Sequence, residues 1–276
     1  MKVIHSVHPQ DFRKYDTASI RESFLIEDLV QAGNINFTYT HYDRMMIGSA
    51  APLQETLQLG NYPNLRADYF LERREMGIIN VGGEAVITVG ATDFTLQKLD
   101  CLYIGNGVQH VNFKSIHPDK PAKLYILSAP AHASFPTMLS KKENAESNSL
   151  GAMETSNQRT IFRYIHKKGI QSCQLVMGLT MLEKGSVWNT IPPHTHDRRM
   201  EVYFYFDVPD NQLVFHYLGE PGETRHIVTK NYQAVLSPPW SIHAGSGTCN
   251  YGFIWGMAGE NIEYSDMDGI QLNDLR

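Results

Sequence analysis

The stretch HTHDRRMEVYFYFD, residues 194–207, places two histidines, a turn and a glutamate ahead of an apolar strand. On a β-strand alternate side chains share a face, so His194 and His196 point the same way and can hold one ion. Residues 197–199 then supply a turn. If both histidines face the interior of the fold, the following strand presents Glu201 from the same side. The pattern predicts a divalent metal site.

A third histidine lies further along the chain. The segment PPWSIH, residues 238–243, places a proline-rich turn before His243. A lone H-x-H pair has ordinary packing and hydrogen-bonding roles, but the glutamate and the later histidine together favour a metal centre. Mixed nitrogen and oxygen ligation suits zinc, iron, manganese or nickel, and the ligand set alone does not choose among them.

Short β-type runs separated by glycine and proline surround this site and predict an all-β protein with few short helices. Many short strands with such turns indicate a sandwich or barrel architecture. The clearest helix signal covers residues 17–31, with Asp16 as its N-cap. The predicted strands are residues 36–41, 77–81, 85–89, 101–104, 173–179, 201–206, 213–217 and 252–255.

The polar stretch KKENAESNSLGAMETSN, residues 141–157, predicts a linker without strand character between residues 1–140 and 158–276. The two halves echo each other, because residues 69–83 have the outline of residues 194–210, and residues 98–113 parallel residues 231–247. We therefore expect two duplicated β-barrels. The first half lacks the H-x-H pair and keeps only His110, which predicts a degenerate N-terminal barrel without metal ligands.

H-x-H-x4-E followed by P-x-W-x-x-H resembles the paired motifs of the cupin superfamily, in which three histidines and one glutamate hold a metal inside a β-barrel. Longer segments are more specific. GSVWNTIPPHTHDRRMEVYFYFD (185–207), GEPGETRHIV (219–228) and SPPWSIHAGSGT (237–248) resemble the 5-keto-4-deoxyuronate isomerases. Together with segments such as RESFLIEDLV (21–30), the resemblance covers nearly the whole chain.

This resemblance implies an aldose–ketose isomerase that converts 5-dehydro-4-deoxy-D-glucuronate to 3-deoxy-D-glycero-2,5-hexodiulosonate in pectin degradation. It also implies one Zn²⁺ per subunit in a cupin-like C-terminal barrel and a hexameric assembly. His194, His196, Glu201 and His243 match the family's metal ligands one by one. Moving a carbonyl between neighbouring carbons passes through an enediolate, whose negative charge a metal ion stabilises.

Such a reaction needs a group that carries the proton. Tyr203 and Tyr205 share the face of Glu201, and His226 is a further candidate. Each has a structural alternative, because tyrosines inside barrels mostly serve packing and His226 can lie on a surface strand. The catalytic assignment stays open among these three residues.

The substrate is a carboxylate, and a guanidinium matches carboxylate geometry. Arg198 and Arg199 lie in the turn beside the predicted ligands, and Arg225 follows in GETRHIV. Most surface arginines are simply solvated, so position alone supports these three. Trp188 and Trp240 flank the ligand segments and are candidates for walls of the substrate pocket, with core packing as the alternative.

Other functions fit parts of the pattern. A 5-deoxyglucuronate isomerase of inositol breakdown would share the metal motif, an iron dioxygenase would use the same ligands, and a metal-dependent sugar-binding cupin would lack catalysis. A formal net charge of −5 and a pI near 6.2 exclude a basic nucleic-acid surface. No stretch approaches the ~20 apolar residues of a membrane span. Three scattered cysteines predict reduced thiols in a cytoplasmic protein, and we expect a homo-oligomer acting on a small molecule.

Overall fold

β-Strands make up most of the regular secondary structure, in a computed structural model that describes residues 1–276. Two short helices, α1 (Pro9–Phe12) and α2 (Thr17–Phe24), precede most of the strands. The predicted all-β class is confirmed. The strands of the first half are β1 (Lys2–Ile4), β2 (Leu25–Ile26), β3 (Ile35–Thr40), β4 (Met46–Ala50), β5 (Leu57–Gln58), β6 (Arg74–Asn80), β7 (Ala85–Val89), β8 (Thr92–Leu96), β9 (Cys101–Ile104), β10 (Val111–Ser115), β11 (Leu124–Pro130) and β12 (Met138–Ser140).

The second half continues with a similar density of strands. Single turns of 3₁₀ helix occur in both halves, at Pro63–Leu65, Lys142–Asn144, Met153–Thr155 and Leu272–Asp274. The remaining strands are β13 (Glu146–Leu150), β14 (Arg159–Ile165), β15 (Val176–Leu182), β16 (Trp188–Asn189), β17 (His194–Thr195), β18 (Arg199–Phe206), β19 (Val214–Glu220), β20 (Glu223–Thr229), β21 (Ala234–Ser237), β22 (Ala244–Gly247), β23 (Gly252–Gly259) and β24 (Asp268–Gly269).

The strands form two pairs of sheets with matching strand order. In the first pair, a seven-stranded sheet (β1-β3-β4-β11-β6-β9-β12) packs on a four-stranded sheet (β5-β10-β7-β8). In the second pair the orders are β13-β14-β15-β23-β18-β21-β2 and β16-β22-β19-β20, while β17 and β24 form a separate ribbon. Each sheet ends in edge strands, so hydrogen bonding does not close either pair into the predicted barrel. The pairs are open two-sheet sandwiches.

The two seven-stranded sheets also pack against each other through their outer faces. Tyr125 on β11 stacks on Phe204 on β18, with 4.2 Å between the ring centroids. Gly256 permits this close approach, since a Cβ added there would lie 2.0 Å from Cδ1 of Leu127. The central strands β6 and β18 are therefore buried on both faces, and every residue of the two strands is buried.

A buried carboxylate connects the two halves at this contact. Glu75 on β6 has no exposed surface. Its oxygens accept hydrogen bonds from the hydroxyl of Tyr103 (2.8 Å) and from the N–H groups of Cys173 (2.7 Å), Gln174 (2.9 Å) and Leu175 (2.8 Å). The N–H groups belong to the segment that leads into β15, so Glu75 holds that segment against the first half.

The predicted helix over residues 17–31 ends early. Asp16 is its N-cap as expected, because its Oδ1 accepts a hydrogen bond from the N–H of Ser19 at 2.8 Å. The helix stops at Phe24, and Leu25 and Ile26 instead pair with β21 of the second half. Pairing with a distant strand overrides the local helical pattern, and it carries residues of the first half into the second sheet. No helix combines the length and apolar character needed to cross a membrane.

The stretch 141–157 is not the strandless linker predicted from its polarity. It contains β13, which pairs antiparallel with β14. Glu146 lies opposite Arg163 at one end of the pairing, and Leu150 lies opposite Arg159 at the other. As an edge strand exposed along most of its length, β13 needs no apolar alternation, so its sequence lacks the usual strand signal. All three cysteines are free, with Cys101 buried and the other two partly buried.

Candidate metal centre

The four predicted ligands come from separate parts of the second half. His194 lies on β17, which pairs with β24 rather than with either large sheet. His196 follows in the loop, Glu201 lies on β18, and His243 directly precedes β22. The predicted turn is present at residues 197–198 and leads the chain into β18.

These side chains converge on one point. The Nε2 atom of His194 lies 3.1 Å from Nε2 of His196 and 2.9 Å from Nε2 of His243. Oε2 of Glu201 lies 2.8 Å from Nε2 of His196 and 2.9 Å from Nε2 of His243. All four ligand atoms lie within 4.8 Å of one another, and three of the residues are buried while His194 is partly exposed. One open side at His194 leaves access for a small molecule.

One hydrogen bond beside the cluster directs the lone pair of His196 inward. A carbonyl can only accept, so Nδ1–H of His196 donates to the carbonyl of Asp266 at 2.6 Å. The Nε2 atom of a neutral His196 then carries no proton, which is the arrangement typical of a metal-bound histidine. Unprotonated nitrogens 3 Å apart repel each other unless a cation lies between them. The donor set therefore fits a divalent metal ion.

The charge state of the cluster also suits a cation. Burial and the neighbouring His243 lower the pKa of His194 to about 2, so its imidazole is neutral near neutral pH. Burial alone would raise the pKa of Glu201. The polar imidazoles of His243 and His196 beside the carboxylate outweigh burial and hold that pKa well below its ordinary value. The site thus presents a neutral His194 and an ionised carboxylate.

His194 and Glu201 form part of the wall of a cavity of about 350 Å³ that lies against the seven-stranded sheet of the second half. This volume lies at the lower end of the range for small-molecule sites. Ile161, Phe253 and Trp255 supply apolar walls. The polar lining side chains are Arg159, Thr180, Thr190, His194, Glu201, Tyr203 and Tyr264.

The two candidate tyrosines are placed differently. Tyr203 lines the cavity, and its hydroxyl lies 2.8 Å from Oγ1 of Thr190. Burial and the nearby Glu201 raise the pKa of Tyr203 well above its ordinary value, so the hydroxyl keeps its proton. Tyr205 points deeper, and its hydroxyl contacts Nδ1 of His216 at 2.8 Å instead of the cavity.

The arginines beside the ligands already have partners within the chain. Arg198 pairs with Asp266 at 2.7 Å and with Asp268 at 2.8 Å. Arg199 is buried, and its guanidinium donates to the carbonyls of Glu263 (2.6 Å) and Asp266 (3.1 Å). Both side chains hold the C-terminal segment that supplies the carbonyl bonded to His196.

The structure does not bring four further candidates to the cavity. Arg225 lies on β20 and pairs with Glu223 at 2.6 Å, while the neighbouring His226 is exposed. Both belong to the four-stranded sheet and lie outside the cavity wall. Trp240 packs against the N-terminal helices, and Trp188 is partly exposed and stacks on Tyr217.

Sequence reasoning missed Arg159, Thr190 and Tyr264. Arg159 lies on β14 with Ile161 two residues later on the same face, and this alternation in RTIFRYI is the only local signal. Alternation shows which residues share a face, but not which face is turned to the cavity.

Arg199→Lys should weaken metal binding without unfolding the protein. A lysine lacks the guanidinium fork that reaches several carbonyls, so the Asp266 carbonyl would hold His196 less firmly. We expect metal affinity to fall about tenfold, the lower end of the range for losing a group that orients a ligand. Competition with a chromophoric chelator measures this affinity. Arg21→Lys, on α2, is the control, and equal affinities in the two variants would contradict the prediction.

Paired sheets in two matching units, with a three-histidine, one-glutamate cluster in the second, define a cupin-like protein with a candidate metal site. The fold is similar to that of an IolB-like protein from Salmonella typhimurium LT2, with a TM-score of 0.72, 14% identity and coverage of 90% of this chain and 96% of the other. The chain belongs to the KduI/IolB family, whose model matches residues 25–270.

Relatives within this family are similar over the full length. The chain is 50% identical over 276 residues to the 4-deoxy-L-threo-5-hexosulose-uronate ketol-isomerase of Shouchella clausii, with complete coverage of both chains. It is 53% identical, again with complete coverage, to the enzyme of that name from Lachnoclostridium phytofermentans. The predicted enzyme class, an isomerase, is confirmed. Oxalate decarboxylase of B. subtilis shares only the fold, with a TM-score of 0.59, 10% identity and coverage of 91% of this chain and 79% of the other.

Proposed function

We propose that the protein catalyses the ketol-isomerisation of 4-deoxy-L-threo-5-hexosulose-uronate (5-dehydro-4-deoxy-D-glucuronate) to 3-deoxy-D-glycero-2,5-hexodiulosonate. The observation that carries the proposal is the cavity of about 350 Å³, whose wall combines His194 and Glu201 with Arg159, several hydroxyls and apolar side chains. Such a lining suits a polar six-carbon acid. The names of the full-length relatives agree with this substrate.

We propose zinc as the metal, one ion per subunit, held by His194, His196, Glu201 and His243. Three imidazoles and one carboxylate form a nitrogen and oxygen donor set that zinc accepts. A divalent ion at this place supplies positive charge that stabilises negative charge on substrate oxygens while a proton moves between neighbouring carbons.

Tyr203 is the side chain of this chain best placed to act on a substrate oxygen. Its hydroxyl lines the cavity two residues from Glu201 along β18 and contacts Oγ1 of Thr190. Because its pKa is raised by burial, the hydroxyl donates a hydrogen bond rather than acting as a base. Thr190 orients that hydroxyl by accepting from it or donating to it.

The wider setting forms part of the proposal. We infer that residues 1–140 form a unit without metal ligands and residues 158–276 the metal-binding unit, as a duplicated pair joined by residues 141–157. The matched strand order of the two pairs of sheets supports duplication. A hexamer in the cytoplasm, acting in pectin and uronate degradation, is the setting that the family resemblance implies.

Purified protein loaded with zinc should convert freshly made 5-keto-4-deoxyuronate to the hexodiulosonate. Chelation should stop the reaction and zinc should restore it, because the ion carries the charge stabilisation. NMR in D₂O follows both sugars, and deuterium entering the carbon that gains hydrogen would favour an enediolate over a hydride shift. Turnover of 5-deoxyglucuronate alone would overturn the substrate and leave the isomerase class standing.

A further inference from the structure

One guanidinium in the cavity lacks a carboxylate partner. Arg159 donates from Nη1 to the carbonyl of Asn157 at 2.8 Å, and no acidic side chain pairs with it. The other arginines near the ligands differ, because Arg198 has two carboxylates and Arg199 is surrounded by backbone carbonyls. Arg159 is therefore the cationic side chain in this cavity whose guanidinium keeps N–H donors without a partner in the chain.

The surroundings of Arg159 make an anion favourable there. Burial lowers the pKa of its guanidinium, and the neighbouring groups are hydroxyls of Tyr203 and Tyr264 rather than acids. A partly desolvated cation gains from an anionic partner more than a solvated one does, because charge-assisted hydrogen bonds strengthen as water is excluded. Nothing in the chain itself supplies that partner.

The position of Arg159 relative to the candidate metal ligands determines how a bound anion must lie in the cavity. Arg159 lies on β14 and Glu201 on β18, and β15 and β23 separate the two strands in one sheet. Three strand spacings place the two strands ~14 Å apart, so the side chains approach the cavity from opposite sides. A ligand that spans the cavity meets Arg159 at one end and the ligand cluster at the other.

We propose that Arg159 binds the carboxylate of the uronate substrate and so directs its carbonyl end towards His194 and Glu201. This inference rests on the proposed function. It assigns to β14 the role that the sequence suggested for Arg198, Arg199 or Arg225. It also explains how one cavity selects an acid sugar, since the bidentate guanidinium distinguishes a carboxylate from an uncharged group.

The test compares the uronate with its methyl ester, which keeps the reacting carbons but removes the charge. We expect the wild type to prefer the acid in kcat/KM by about 10- to 100-fold, the effect of losing a hydrogen bond to a charged group. In Arg159→Gln the preference should fall to near unity, because kcat/KM falls more for the acid than for the ester, while metal content stays close to wild type. Arg159→Lys should recover part of the preference, because charge remains without the fork.

Arg225→Gln is the matched control, since that guanidinium pairs with Glu223 outside the cavity. A preference that survives in Arg159→Gln, or that disappears in Arg225→Gln instead, would overturn the inference while leaving the isomerase intact. A wild type that treats acid and ester alike would overturn it too. A metal-loaded wild type that converts neither sugar would overturn the proposed function itself, a result distinct from a change in preference.

Discussion

His243→Ala is expected to lower kcat/KM on the uronate by on the order of a thousandfold, because several kcal/mol of charge stabilisation are lost and each ~1.4 kcal/mol is tenfold in rate. His243 is almost fully buried and lies 2.9 Å from both Nε2 of His194 and Oε2 of Glu201. Its removal leaves three ligands and an opening beside them. We expect purified His243→Ala to contain much less than one zinc per chain, measured by elemental analysis.

His110→Ala is the matched control for this variant. His110 follows a strand and turn in the first half, as His243 does in the second, but it is exposed and belongs to no ligand cluster. We expect it to retain full zinc content and activity. The assignment of His243 as a ligand would fail if His243→Ala kept one zinc per chain, or if His110→Ala lost its metal to the same extent.

The cluster of candidate ligands could be predicted from the sequence because each of its residues lies in a short motif with its own geometry. His194, His196 and Glu201 are separated by one turn, and His243 is preceded by prolines that fix its approach. The similarity of residues 69–83 to residues 194–210 was also visible, and β6 and β18, which these segments contain, hold the same position in their sheets. Local patterns were sufficient wherever the relevant contacts are local.

Contacts between distant segments account for what the sequence did not predict. Leu25 and Ile26 leave the helical pattern because β21 of the other half offers them strand pairing. The sequence suggested that Arg198 could bind the substrate, yet its guanidinium forms ion pairs with Asp266 and Asp268 of the C-terminal segment. The sequence around residue 198 does not indicate that these two carboxylates pair with Arg198. The sequence around Arg159 does not show which face of β14 is covered by the second sheet, and the orientation of Arg159 depends on that.

The second large effect is expected at Glu75, where Glu75→Ala should reduce the free energy of unfolding by about 4 kcal/mol, because buried donors lose their acceptor at 1–3 kcal/mol each. The three N–H groups of residues 173–175 and the hydroxyl of Tyr103 all point at this carboxylate. Water cannot replace it easily, since Glu75 has no exposed surface. Thermal unfolding should show a Tm lower by roughly 10 °C.

Glu75→Gln separates charge from shape at the same place. A glutamine keeps one acceptor oxygen but turns an NH₂ group towards backbone N–H donors, so we expect a loss intermediate between wild type and alanine. Glu84→Gln is the control, because Glu84 accepts from the exposed side chain of Gln97 and its loss should leave Tm unchanged. The metal ligands lie in the other half of the chain, so zinc content should survive in all three variants at low temperature. A Tm of Glu75→Ala equal to that of Glu84→Gln would show that the two halves hold together through their apolar faces alone.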